Sequence, residues 1–148
     1  CHFTPEMKNG AMTVATGVSC ESCHGPAKNW VNVHADYGGK DVKPNQETPE
    51  HKQTRLSQVK AAGMNRPVDL YKLVRNCYEC HTIPDEALVN TGGHKPGSDF
   101  ELVSWFQGEV RHNDWSHPGQ NPESSAPRRR MMYIVGKMTD AEYDNSGV

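Results

Sequence analysis

The chain has 148 residues, which suits one domain, and its formal net charge of −2 argues against the strongly basic surface of a nucleic-acid-binding protein. Only 34% of the residues are hydrophobic and the mean hydropathy is −0.81, so a core built from side chains alone would be poor. The longest apolar run, residues 131–135, is too short to cross a membrane.

Residues 3–19 are predicted to form a loop or a short hairpin that turns at Asn9 and Gly10. Asn-Gly is a typical hairpin turn, and an extended run, residues 11–14, follows it. We expect little other strand. The 13 glycines and 10 prolines favour extensive loops around a rigid group, because tight turns need these residues.

Two copies of the pattern C-x-x-C-H organise the chain. Their members are Cys20, Cys23 and His24 in the first copy and Cys77, Cys80 and His81 in the second. In this pattern two thiols bind the vinyl groups of one haem c, and the histidine is the proximal ligand of its iron. About 0.01 copies would arise by chance in a chain of this composition. A zinc site or a redox dithiol is the alternative, but a zinc ribbon needs no histidine after each pair, and the βαβ pattern of a redox motif is absent here.

The chain opens on Cys1 and His2, which match the last two residues of the same pattern. On this interpretation all five cysteines serve haem attachment, with two complete sites and a third whose first cysteine lies upstream, so we expect three haems. Alternatively, Cys1 is the acylated N-terminus of a lipoprotein. Haem c is attached outside the cytoplasm, so we expect a periplasmic or extracellular protein whose export signal has been removed.

Between the two complete sites we predict loops and two helices. Gly25 and Pro26 end any helix at the first site. A helix capped by Thr48 is predicted to begin at Pro49 and to end before Gly63, with only a thin apolar face. A second helix, from residue 68, is predicted to run into the second C-x-x-C-H copy and to place that site at its end.

Two further helices are predicted in the C-terminal part. Ser98 and Glu101 have capping-box spacing, and the apolar residues that follow share one helical face to about His112. After a turn-rich loop, the last helix is predicted from Arg128 to about Tyr143. Its predicted buried face consists of Met131, Ile134, Val135 and Met138. We interpret the three arginines at 128–130 as a solvated helix start or as a clamp on haem propionates.

Histidines outside the two complete copies are candidates for distal iron ligands. The sequence favours three of them over His51 and His117. They are His34, His94 and His112. His34 lies ten residues after His24, too far along the chain to share the proximal side of that haem, so it is placed to reach a neighbouring iron. Methionine ligation is the competing possibility.

The surroundings of the first copy resemble a known family. Residues 16–26, followed by His34, are similar to the third haem site of the cytochrome c-554 family of tetrahaem electron carriers. The resemblance covers about residues 1–95, and the remainder looks like the tail of related multihaem cytochromes. It implies a compact multihaem fold that carries electrons.

The resemblance also implies roles for individual residues. Cys1 and His2 would end the family's second site, residues 77–81 would be its fourth, and its first would lie upstream of this sequence. His34 would ligate that first haem. The iron over His2 would be five-coordinate, unless a spare histidine such as His112 or His117 fills its open side.

We therefore predict a mainly α fold with extensive loops and little strand, wrapped around a haem core. Residues 1–148 would form one multihaem cytochrome c domain, with a haem-binding core of 1–95 and a helical tail, 96–148, packed on the haems. The predicted function is electron transfer between redox partner proteins through mostly bis-His haems, without enzyme activity. The alternatives are an enzyme subunit whose open haem acts on a small nitrogen or sulfur species, or a subunit of a larger multihaem assembly. Oligomerisation and membrane association through a partner or a lipid anchor stay open.

Overall fold

The computed structural model describes residues 1–83, 85–97, 99–109 and 122–145. The described residues are mainly helical, with 55% helix, 10% strand and a small two-stranded sheet, which confirms the predicted fold class at this level. It forms two compact units, Cys1–Asp69 and Leu70–Val148. The predicted division into a core and a tail stays a prediction. In the described part, no helix combines the length and the apolar character of a membrane span.

The first unit opens on the predicted hairpin. Strand β1 (Thr4–Lys8) pairs antiparallel with β2 (Ala11–Thr16). Asn9 and Gly10 take φ angles of 53° and 80°, the left-handed values that a tight type I′ turn requires. The register places Met7 opposite Met12, and both methionine side chains are exposed.

The rest of this unit consists of short helices and loops. Its α-helices are α1 (Cys20–His24), α2 (Val31–His34) and α3 (Pro49–Ala61), with 3₁₀ turns at Ala27–Asn29 and Pro44–Gln46. Helix α3 begins as predicted, because the Thr48 hydroxyl accepts a hydrogen bond from the His51 N–H at 3.2 Å. In this unit, all of whose residues are described, the buried hydrophobic side chains are Trp30 and Val59 alone.

A buried ion pair ties α3 to the loop before it. Arg55 donates from Nε and Nη2 to the two carboxylate oxygens of Glu47, at 2.7 and 2.6 Å. The Glu47 side chain is only 2% exposed. The hydrogen bond from Arg55, with a further one from His51, outweighs burial and lowers the pKa of the Glu47 carboxyl from 4.5 to about 2. Glu47 therefore stays ionised in the folded protein at acidic pH.

We expect this pair to make stability depend on pH. Between about pH 4.5 and pH 2 the unfolded chain protonates Glu47 while the folded chain does not, so the free energy of unfolding falls as pH falls through this window. Glu47→Gln should lower stability at neutral pH and remove this part of the dependence. Denaturant unfolding at a series of pH values measures both effects. Glu6→Gln, which alters an exposed acid of β1, is the control and should change neither the stability nor its pH dependence. If the free energy of unfolding falls with pH equally steeply in Glu47→Gln and in the parent, Glu47 is not the source of the dependence.

The second unit has a core of its own. Its elements are α4 (Leu70–His81), α5 (Glu86–Asn90), α6 (Leu102–Ser104), a π-helical turn (Trp105–Glu109) and α7 (Ala126–Asn145). Helices α4 and α6 both pack against α7. The buried cluster comprises Leu70, Val74, Tyr78, Phe100, Leu102 and Met132. As predicted, α4 carries the second C-x-x-C-H copy at its C-terminal end.

Two helix predictions in this unit are wrong in detail. Instead of one helix from Ser98, α6 starts at Leu102, because the Glu101 carboxylate caps it by accepting from the Val103 and Ser104 N–H groups. Ser98 and residues 110–112 lie outside the described residues. On α7, three of the four residues predicted to be buried are exposed, and the fourth, Val135, is partly buried. The exposed three are Met131, Ile134 and Met138.

Candidate haem sites

The first C-x-x-C-H copy forms α1, and its N-terminal end is firmly held. The Ser19 hydroxyl accepts from the Glu21 N–H at 3.3 Å, and the Ser22 hydroxyl accepts from the Ser19 N–H at 3.1 Å, which together make a capping box. Buried Thr4 joins this cap to the hairpin, since its Oγ1 lies 2.8 Å from Gly17 O and 2.8 Å from Ser19 Oγ. The cap compensates for a helix too short to be stable alone.

The C-terminal end of α1 is held by Asn65, which is distant in sequence. Its backbone N–H donates to His24 O at 2.8 Å, and its side-chain amide donates to Cys23 O at 3.2 Å. The helix can end here because Gly25 takes a φ of 82°, and a Cβ at Gly25 would lie only 2.8 Å from the Gly63 carbonyl oxygen. A side chain is therefore excluded from this position on two counts.

The His24 ring is oriented by the same segment. Its Nδ1 lies 2.9 Å from the backbone oxygen of Asn65. A carbonyl oxygen only accepts, so the proton is on Nδ1, and in the neutral ring the lone pair is on Nε2. Metal-binding histidines commonly donate their other N–H to a carbonyl in this way. The donor chemistry of His24 therefore fits an iron ligand that binds through Nε2.

The second copy lies on the last turn of α4. Cys77 is partly buried against the core, and its thiol lies 3.5 Å from Leu73 O, while Cys80 is exposed. The His81 ring stacks on Phe100 with centroids 4.4 Å apart and planes at 24°. Burial lowers the pKa of His81, so its ring is neutral at pH 7, the form that coordinates iron.

Two of the candidate distal ligands resemble His24 in their hydrogen bonding. His34, the last residue of α2, lies with Nδ1 against Val31 O, and His94 lies with Nδ1 2.8 Å from Lys95 O. In both contacts Nδ1 is the donor, since a carbonyl oxygen only accepts, and in the neutral ring the lone pair is then on Nε2. His51 differs, because its Nδ1 contacts the Glu47 carboxylate at 2.8 Å.

The remaining candidates are Cys1 and His2 at the start of the chain and two histidines of the C-terminal part. Cys1 and His2 are exposed and precede β1, where the His2 ring lies 6.3 Å from that of Phe3. His112 and His117 fall outside the described residues. None of the five cysteines, all of which are described, forms a disulfide.

One buried donor lies beside His34. The indole of Trp30 meets the His34 ring edge-on, with centroids 5.4 Å apart at 89°. Among the buried side-chain polar atoms of the described residues, its Nε1 is without a hydrogen-bond partner. Leaving a buried hydrogen-bond donor unpaired costs about 1–3 kcal/mol. Among the described residues, the protein groups around His34 therefore leave one donor, the Trp30 Nε1–H, without an acceptor.

Sequence reasoning missed the residues that hold these histidines in place. Asn65 at His24, Arg55 at His34 and Phe100 at His81 are all distant in sequence from the histidine they contact. No short motif marks them, because each contact depends on how the chain folds back.

Comparisons add no relative to this geometry: no family model, curated protein or solved structure matches the chain. Within the described ranges, no three His, Cys, Asp or Glu side chains form a metal-binding group. A haem iron takes four of its ligands from the porphyrin and needs no such group of three side chains.

Proposed function

We propose that this protein transfers electrons through covalently attached c-type haems, as its resemblance to the cytochrome c-554 family implies. Cys20 and Cys23 would hold one haem and Cys77 and Cys80 a second, with Cys1 contributing to a third. The observation that carries the proposal is the contact that His24, His34 and His94 share, in which Nδ1 faces a backbone oxygen and would leave Nε2 of the neutral ring to bind iron. His34 and His94 lie outside the attachment motifs, so the chain offers distal as well as proximal ligands.

The sparse interior of the first unit supports a haem-filled core. A unit of this size whose buried hydrophobic side chains are Trp30 and Val59 gains little stability from packing. Several large apolar side chains of this unit are exposed instead. They are Phe3, Met7, Met12, Val14 and Val18. Haem presents a large flat apolar surface, and covering these side chains with it would supply the missing burial.

Each group of residues has a defined part in this proposal. When bound, haem supplies an iron that changes its oxidation state reversibly by one electron. The thiols fix the haem to helix ends, and the proximal rings of His24 and His81 are oriented by Asn65 and Phe100. Distal histidines would close the iron to small molecules and keep its ligands the same in both oxidation states, which favours electron transfer over catalysis.

Carbon monoxide binding tests the proposal. The reduced protein is expected to show no spectral change with carbon monoxide, because distal histidines, including a spare one at the iron over His2, would fill both axial positions of each iron. His94→Ala should open one haem to carbon monoxide, whereas His51→Ala, whose ring is held by Glu47, should not. A parent protein that binds carbon monoxide and shows a high-spin ferric signal would favour the alternative of an enzyme with an open haem.

A further inference from the structure

Helix α2 ends on His34 and needs support from outside. A helix of four residues is not stable by itself. Arg55 of α3 supplies the support, since its Nη1 donates to the backbone oxygen of His34 at 2.8 Å. This contact joins a candidate iron ligand to the longer helix α3.

The guanidinium that makes this contact is itself fixed. Two parallel hydrogen bonds to the buried Glu47 carboxylate fix the orientation of the forked Arg55 guanidinium. Glu47 also accepts from His51 at 2.8 Å, and the Tyr37 ring lies 4.8 Å from the guanidinium carbon. Arg55 is only 11% exposed, so the arrangement is largely shielded from water.

The imidazole of His34 is coupled to the backbone that Arg55 holds. Its Nδ1 contacts Val31 O one turn earlier, and Trp30 packs edge-on against the ring. A displacement of the His34 carbonyl would therefore move Nε2 as well. Ordinary capping of a helix end would explain the Arg55 contact alone, but it predicts a change in stability only.

We propose that the Arg55–Glu47 ion pair positions His34 as an axial ligand of a haem iron. The inference rests on the proposed function, because it requires His34 to be a ligand. Arg55 is a positioning residue that does not touch the iron. Its fork and its partner fix the end of α2, so the ligand stays bound when the iron changes oxidation state.

Spectra of the exported, haem-loaded protein test this role, and the protein used includes any upstream haem segment, because the resemblance assigns His34 to the iron of such a segment. Arg55→Met is expected to convert one haem from low-spin to high-spin in the ferric electron paramagnetic resonance spectrum and to admit carbon monoxide at that haem after reduction, as His34→Ala should. Arg55→Lys keeps the charge but lacks the fork, so a partial conversion is expected. The matched control is Thr48→Ala, which removes the cap of α3 without touching His34; it should lower Tm and leave the spectra unchanged.

The outcomes separate the two claims. If His34→Ala produces the high-spin haem and Arg55→Met does not, the positioning role is overturned while the haem assignment stands. If His34→Ala leaves the spectra unchanged, His34 is not a ligand and the positioning role falls with it. Haem content by intact mass tests the proposed function separately. If Arg55→Met does not fold, Glu47→Gln, which removes one side of the ion pair, decides by the same readout.

Discussion

Replacing both thiols of the first motif, as Cys20→Ser and Cys23→Ser, is expected to remove one covalently bound haem completely and to unfold the first unit. The thioether bonds need both sulfurs, and the unit buries only Trp30 and Val59 as hydrophobic side chains without haem. Intact mass should fall by one haem. Limited proteolysis should then cut within residues 1–69 at sites that the parent protein protects.

The equivalent change in the second unit is the matched control. Cys77→Ser and Cys80→Ser should also remove one haem, but the second unit packs α4 and α6 on α7 around its own buried cluster. We therefore expect this variant to keep protease resistance in residues 122–145. An unchanged mass in either double variant would contradict haem attachment at that motif. If each double variant exposes its own unit to protease to the same extent, the claim that only the first unit depends on haem for its core would be contradicted.

The sequence predicts correctly those features that neighbouring residues determine. Asn9 and Gly10 make the hairpin turn, Thr48 caps α3, and Gly25 ends α1, each through contacts within a few residues. Likewise, the helix that carries the second motif follows from its own apolar spacing. The motifs predict the haem-attachment residues, and both that attachment and the pairing of each histidine with an iron stay predictions.

Features that depend on contacts between residues distant in sequence cannot be predicted from neighbouring residues. Asn65 binds Cys23 and His24 across some forty residues, and nothing in its own surroundings marks it. For α7, the sequence favoured the side with the larger apolar residues. The buried side instead contains Gly136, where a Cβ would lie 3.1 Å from Leu102 Cβ, so glycine permits close packing of α6. Thr139 can also be buried, because its hydroxyl donates to Val135 O at 2.8 Å.

The orientation of α7 leads to the second large expected effect. Met132 is 3% exposed and belongs to the buried cluster, whereas Met131 is 52% exposed. Met132→Ala should lower the free energy of unfolding of the second unit by about 2–5 kcal/mol, because it removes buried methylenes and leaves a cavity. Met131→Ala makes the same chemical change one residue earlier and should cost within about 0.5 kcal/mol.

Denaturant unfolding of the two methionine variants decides between two orientations of α7. Neighbouring residues on an α-helix point about 100° apart, so the face predicted from sequence, which includes Met131, and the face that packs on α4 and α6, which includes Met132, cannot both be buried to the same extent. A larger loss for Met131→Ala would mean that α7 is rotated and that Gly136 does not face Leu102. A larger loss for Met132→Ala would confirm the orientation in which Gly136 faces Leu102 and the larger apolar side chains of α7 are exposed.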